Sequence, residues 1–186
     1  MKFVESFKQA VFFVASLNLI FFFVEFIVAI NIRSVSLIAD SIDFIEDASI
    51  NFLIFFAVSL TIIKKAKVSI FLSFIMMFPG LIALWAVWQQ IILQEPPAPI
   101  ELSIVAFAAL IVNCLCTLIL MKFQDYSGSL TKAAFLSARN DALANIAIIA
   151  TGIITLLYPS IWPDILVGLF IAYIRTDSAI EIFMKA

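Results

Sequence analysis

The sequence predicts an all-α membrane protein, a six-transmembrane-helix bundle with both termini cytoplasmic. Three observations predict it. Of 186 residues, 65% are hydrophobic and 13% charged, whereas a soluble domain is about 45–50% apolar and about 25% charged. Six apolar windows, roughly residues 10–31, 36–62, 69–92, 99–121, 131–157 and 161–183, each reach the ~20 residues that a spanning helix needs. The lysines gather at one set of window ends.

The windows in order carry their own signals. The first follows a charged start from Lys2. Its apolar run continues where a signal peptide would give way to a small-residue cleavage site and a polar chain, so it reads as a span. The second is interrupted by carboxylates. The third holds Pro79-Gly80, a kink signal. Gln94-Glu95-Pro96-Pro97-Ala98-Pro99 separates the third from the fourth, and Tyr158-Pro159-Ser160 the fifth from the sixth. Lys2, Lys8, Lys64, Lys65, Lys67, Lys122, Lys132 and Lys185 fall on one side, and only Arg33 in a connection on the other. The positive-inside rule makes the lysine side cytoplasmic. Trp85, Trp88, Tyr158 and Trp162 lie toward the opposite face, as an aromatic belt does. The whole of 1–186 reads as one transmembrane domain.

Composition also excludes classes. There is no His, the net charge is −2, and no basic patch points to nucleic acid. Cys114 and Cys116 are two apart on one helix, hence on nearly opposite sides, and read as packing residues and not a disulfide.

Six carboxylates stand well inside the windows, away from their ends: Glu25, Asp40, Asp43, Glu46, Asp47 and Asp141. A central Asp costs about 2.5–3.5 kcal/mol on the insertion scale, so such residues face a bundle interior and mark an ion pathway. Helical spacing puts Ser36, Asp40, Asp43, Asp47 and Asn51 on one stripe of the second span. Ser137, Asn140, Asp141 and Asn145 share a broad face of the fifth, with Arg139 turned away from it. At about 1.5 Å per residue, Asp43 and Asp47 lie about 10–17 Å from the outer end of their span, and Asp141 about 15 Å from the inner end of its own. All three fall near the middle of a bilayer core about 30 Å thick. Three carboxylates there repel unless protons or a cation neutralise them, and oxygen ligands suit hard divalent ions. The alternative is a hydrogen-bond network joining helices, which Asn and Ser side chains would supply at lower cost.

At these residues the sequence resembles the cation diffusion facilitator family of metal/proton antiporters. The stretch VEFIVAINIRSVSLIADSIDFIED is similar to that family's junction of spans one and two. Asp43 and Asp47 fall on the two ligand positions of its (H/D)xxxD motif. FLSARNDALANIAIIATG is similar to the span-five motif, with Asp141 on the second ligand position, and WPDILVGLFIAYIRTDSAIEIFMKA to span six. Two positions depart: Ser137 stands where His or Asp is usual, and Arg33 where Gly precedes Ser34. The family's cytoplasmic metal-binding domain does not follow span six in this sequence.

The resemblance implies efflux of a divalent transition-metal cation, with protons moving inward. The expected metal ligands are Asp43, Asp47 and Asp141, with Ser137 or Asn140 as a weak neutral oxygen; Asp40, Asn51, Asn145 and Glu25 line the pathway or support the site. There is no prosthetic group; the metal is cargo. Mn²⁺ and Fe²⁺ are expected at least as readily as Zn²⁺, because imidazole is absent and carboxylate suits harder ions. The expected partners are metal ions, protons, membrane lipid and a second copy in a homodimer, in the bacterial inner (plasma) membrane. Two other readings differ in kind: an intramembrane metal-dependent lipid-modifying enzyme, for which no basic cluster flanks the carboxylates, and a non-transporting structural subunit.

Overall fold

The computed structural model describes residues 2–57, 82–123 and 129–185; the side chains of 2–6, 53, 56–57, 129–140 and 174–185 lie outside that description. Among the described residues the chain is all-helical, with six helices and no strand. They are α1 (Lys2–Ile32), α2 (Val35–Ala57), α3 (Ile82–Leu93), α4 (Pro99–Met121), α5 (Ser129–Leu157) and α6 (Trp162–Lys185). Over the described residues each helix overlaps one of the six sequence windows. α1 starts at Lys2, ahead of residue 10, because its charged first turns continue the helix. The Lys64–Lys67 connection and the Pro79-Gly80 kink signal lie outside the described residues.

Two helices, over Phe7–Ile32 and Pro99–Met121, are long and apolar enough to cross a membrane. α2 fails that test because its centre holds Asp40, Asp43, Glu46 and Asp47. The distribution of polarity is the reverse of a soluble domain's. Ile20, Phe23, Ile27 and Ile30 on α1 and Ile100, Ile104, Phe107, Ile111, Leu115 and Leu118 on α4 are exposed at helical spacing. Asn18, Glu25, Asp40, Asp43, Asn113, Asp141 and Asn145 are buried. Trp85, Trp88, Tyr158 and Trp162 are exposed as well. Water favours the opposite arrangement; a hydrocarbon surround favours this one.

The helices pack as α1 on α2 and α4, α4 on α5, and α6 on α2 and α5, with α2 also meeting α5. Small residues permit the approach. Ala29, Ala39, Ala83, Ala86 and Ala106 sit in the core. A Cβ at Gly152 of α5 would collide with the Ser103 side chain of α4, and one at Gly168 of α6 would come within 2.9 Å of the backbone at Val35 and Ser36.

Among the described residues the turn from α1 to α2 is the shortest connection. The Ser34 N–H donates to Ala29 O at 3.0 Å and the Arg33 N–H to Ile30 O at 3.3 Å, the paired bonds of a Schellman end. That end needs a left-handed residue, and Arg33 takes it with φ 56°. This explains why Gly is the expected residue there. Arg33 is held by an exposed ion pair with Glu95, and its carbonyl accepts from Gln90 Nε2 of α3 at 3.2 Å. Gln94 ends α3 with the simpler αL motif, at φ 54° and with its N–H donating to Gln90 O at 3.0 Å, ahead of Pro96-Pro97.

Replacing Arg33 by Gly removes the left-handed cost and an exposed pair worth about 0–1 kcal/mol, so Arg33→Gly leaves stability within about 1 kcal/mol of the parent. Arg33→Val puts a β-branched residue in that conformation and costs about 1–3 kcal/mol. Thermal unfolding in detergent micelles checks both. Equal midpoints for the two variants contradict this account of the turn.

Candidate metal pathway

Each helix contributes its inward stripe. On α1, Val11, Val14, Ala15, Asn18, Glu25 and Ala29 are buried at three-, four- and seven-residue spacing. On α2, Asp40 is 0% exposed and Asp43 3%, with Asn51 buried and Asp47 half-buried. On α5, Asp141 is 3% exposed and Asn145 0%. On α4, Asn113 and Cys116 face inward. A polar interior thus runs along four helices that pack on one another.

Some sequence-predicted residues meet. Glu25 interacts electrostatically with both Asp40 and Asp43. The group facing the Glu25 carboxyl is the carboxyl of Asp40. Two carboxyl groups bond only when a proton or cation sits between them. Asp47 lies deeper, near Cys116 of α4. The Cys116 Sγ–H donates to Asn18 Oδ1 at 3.4 Å, while Cys114 is exposed and both thiols are free.

α2 and α5 also share a local motif. Asp47-Ala48-Ser49-Ile50-Asn51 and Asp141-Ala142-Leu143-Ala144-Asn145 both read Asp-Ala-x-x-Asn. In each, the Asn side-chain N–H donates to the Asp carbonyl one turn back, at 2.8 Å. That bond fixes the amide and leaves its oxygen for the interior; Asn145 Oδ1 is buried and accepts from no described residue. With about 1.5 Å per residue, Asp47 stands about 18 Å from the start of α2 and Asn145 about 18 Å from the end of α5.

The described residues do not close a metal shell. No three His, Cys, Asp or Glu side chains among them stand at metal-holding spacing. Ser137 and Asn140 lie on α5, but their side chains, like that of Arg139, are outside the description.

A second polar cluster, not legible in the sequence, lies at the end of the bundle where α2 begins. Asp164, on the first turn of α6, is fully buried. It accepts from Ser34 Oγ (2.7 Å), the Val35 N–H (2.7 Å), the Ser36 N–H (3.2 Å), Ser36 Oγ (2.5 Å) and Gln90 Nε2 (3.0 Å). An Asp in the first turn of a helix normally reads as a complement to that helix's own dipole. Nothing in the sequence shows that this one serves the start of another helix. Asn18 and Asn113 were legible as amides within apolar windows, though their spacing alone pairs them with nothing.

A family model described as the cation efflux transmembrane domain matches residues 11–186. Comparison with curated proteins gives no match.

Proposed function

The chain belongs to the cation efflux family, and on that premise we propose that it exports a divalent transition-metal cation in exchange for protons, through carboxylates of α2 and α5. Family members are cation transporters and not enzymes, and the family and the apolar helices make this chain an integral membrane protein. The observation that carries the finer reading is the placement of Asp43 and Asp141, each 3% exposed, on two helices that pack together inside an apolar exterior. Carboxylates there require a counter-charge. A divalent cation supplies it in one state, and protons supply it when the cation leaves. Asp47 completes the set, and Asn51 and Asn145 hold the helix carbonyls behind Asp47 and Asp141. Glu25 and Asp40, facing each other nearer the outer end, line the path by which the cation departs. The lysine-rich side is cytoplasmic, and the functional unit is a homodimer joined through apolar helix faces.

Asp47→Ala and Asp141→Ala each abolish metal uptake into proteoliposomes while the protein still inserts; Asp43→Ala does the same or nearly so, and Asp40→Ala does less. Wild-type uptake by both of the first two variants removes the site.

Orientation has its own check. With Cys114 and Cys116 replaced, Lys65→Cys resists an impermeant thiol reagent in intact cells, whereas a Cys at Ala98 reacts. The reverse pattern inverts the topology.

Metal choice follows from Ser137. Parent protein takes Mn²⁺ or Fe²⁺ at least as well as Zn²⁺, and Ser137→His, which adds an imidazole one turn from Asp141, shifts competition toward Zn²⁺. An unchanged Mn²⁺/Zn²⁺ ratio in the variant takes Ser137 out of the ligand set.

A further inference from the structure

α2 carries the carboxylates, and something must fix its depth and rotation. Its first turn has orphan N–H groups and the positive end of a helix dipole. Ser34 caps it locally, with its Oγ accepting from the Leu37 N–H at 3.2 Å. Asp164 of α6 takes the next two, the Val35 and Ser36 N–H groups, and both serine hydroxyls besides. Gln90 of α3 holds the same carboxylate and the Arg33 carbonyl through one amide nitrogen. One α6 turn further on, Gly168 lets the α6 backbone lie against Val35 and Ser36, where no Cβ fits. Two independent features of one α6 face therefore grip the same two residues of α2, while α3 grips the turn from the other side.

We propose that Asp164 is a positioning residue for cation transport: with Gly168 and Gln90 it clasps the outer end of α2 to α6 and α3, setting where Asp43 and Asp47 stand relative to α5. Asp43 is 8 residues and Asp47 12 residues beyond Val35 on one continuous helix, so a slip or rotation at the clasp passes to both. The inference rests on the carboxylate reading above for what α2 presents to the cation. A residue that served only to hold the fold together would change the amount of folded protein. A positioning residue changes how well the folded protein binds its cargo.

The test measures Mn²⁺ uptake into proteoliposomes against concentration, normalised to folded protein, for Asp164→Asn, Gly168→Ala, Ser36→Ala and the parent, with Asp141→Ala alongside. Asp164→Asn keeps the shape but turns an amide donor toward donors; Gly168→Ala removes no hydrogen-bonding group but pushes α6 off Val35 and Ser36. A misplacement of about 1 Å at a reacting or binding group costs up to about 100-fold, so KM rises about ten-fold or more in Asp164→Asn and Gly168→Ala, less in Ser36→Ala, with the maximal rate largely kept. Should Asp164→Asn not fold, Ser36→Ala and Gly168→Ala still decide. Parental KM in the folded variants, with only the yield of folded protein reduced, overturns the clasp while a dead Asp141→Ala leaves the carboxylate site standing. Parental uptake by Asp141→Ala strikes down the site itself, and this inference with it.

Discussion

The constraint on which this structure depends is the burial of acid on α2. A helix with Asp40, Asp43, Glu46 and Asp47 within eight residues gains nothing from an apolar surround and, left to itself, moves toward water or turns its acid face outward. Each central Asp costs a few kcal/mol in a bilayer. The helix is retained by what surrounds it: small residues that let α1 and α6 approach, a capped first turn, and an interior where other polar groups face its acid stripe. Asp164 is central because it satisfies the start of α2 from outside α2. A buried carboxylate there is itself stable only because five donors converge on it, so the cap and the capped helix end depend on each other.

The second consequence is an inside-out distribution of polarity. Interior amides and carboxyls occupy α1, α2, α4 and α5, while leucine, isoleucine and phenylalanine cover the outside. In hydrocarbon the outside gains from being apolar, and the inside has to satisfy its polar groups within the bundle. The two Asp-Ala-x-x-Asn segments show how. Each asparagine uses its amide N–H on the Asp carbonyl one turn back, which braces the helix where its acid side chain projects. The same device on α2 and on α5 gives both sides of the proposed path similar local chemistry.

Most of the fold was legible in the sequence because its signal is long-range and redundant: twenty apolar residues in a row have few readings, and α4 occupies the same residues as its hydropathy window. Candidate residues were legible for a related reason. A carboxylate in an apolar run is expensive, so Glu25, Asp40, Asp43 and Asp141 announce an interior face, and all four are buried. What was not legible depends on contacts between distant segments. Asp164 reads as an ordinary first-turn acid until α6 is placed beside the start of α2, about 130 residues away along the chain. Arg33 reads as a lone cation in a connection, at a place where the resemblance leads one to expect Gly; its left-handed backbone follows from the way α1 ends. The grouping of Asn18 with Cys116 likewise requires α1 against α4.

The claim at the centre of the account is that the acid of α2 and α5 exchanges a divalent cation for protons. Proteoliposomes that enclose a pH-sensitive dye and a metal-sensitive dye report both movements at once. With parent protein, external Mn²⁺ or Zn²⁺ is expected to enter while the lumen becomes more alkaline, and a triple Asp43→Asn, Asp47→Asn, Asp141→Asn variant is expected to show neither signal. Metal entry without any proton signal would contradict the exchange, and metal entry that persists in the triple variant would contradict the carboxylate site.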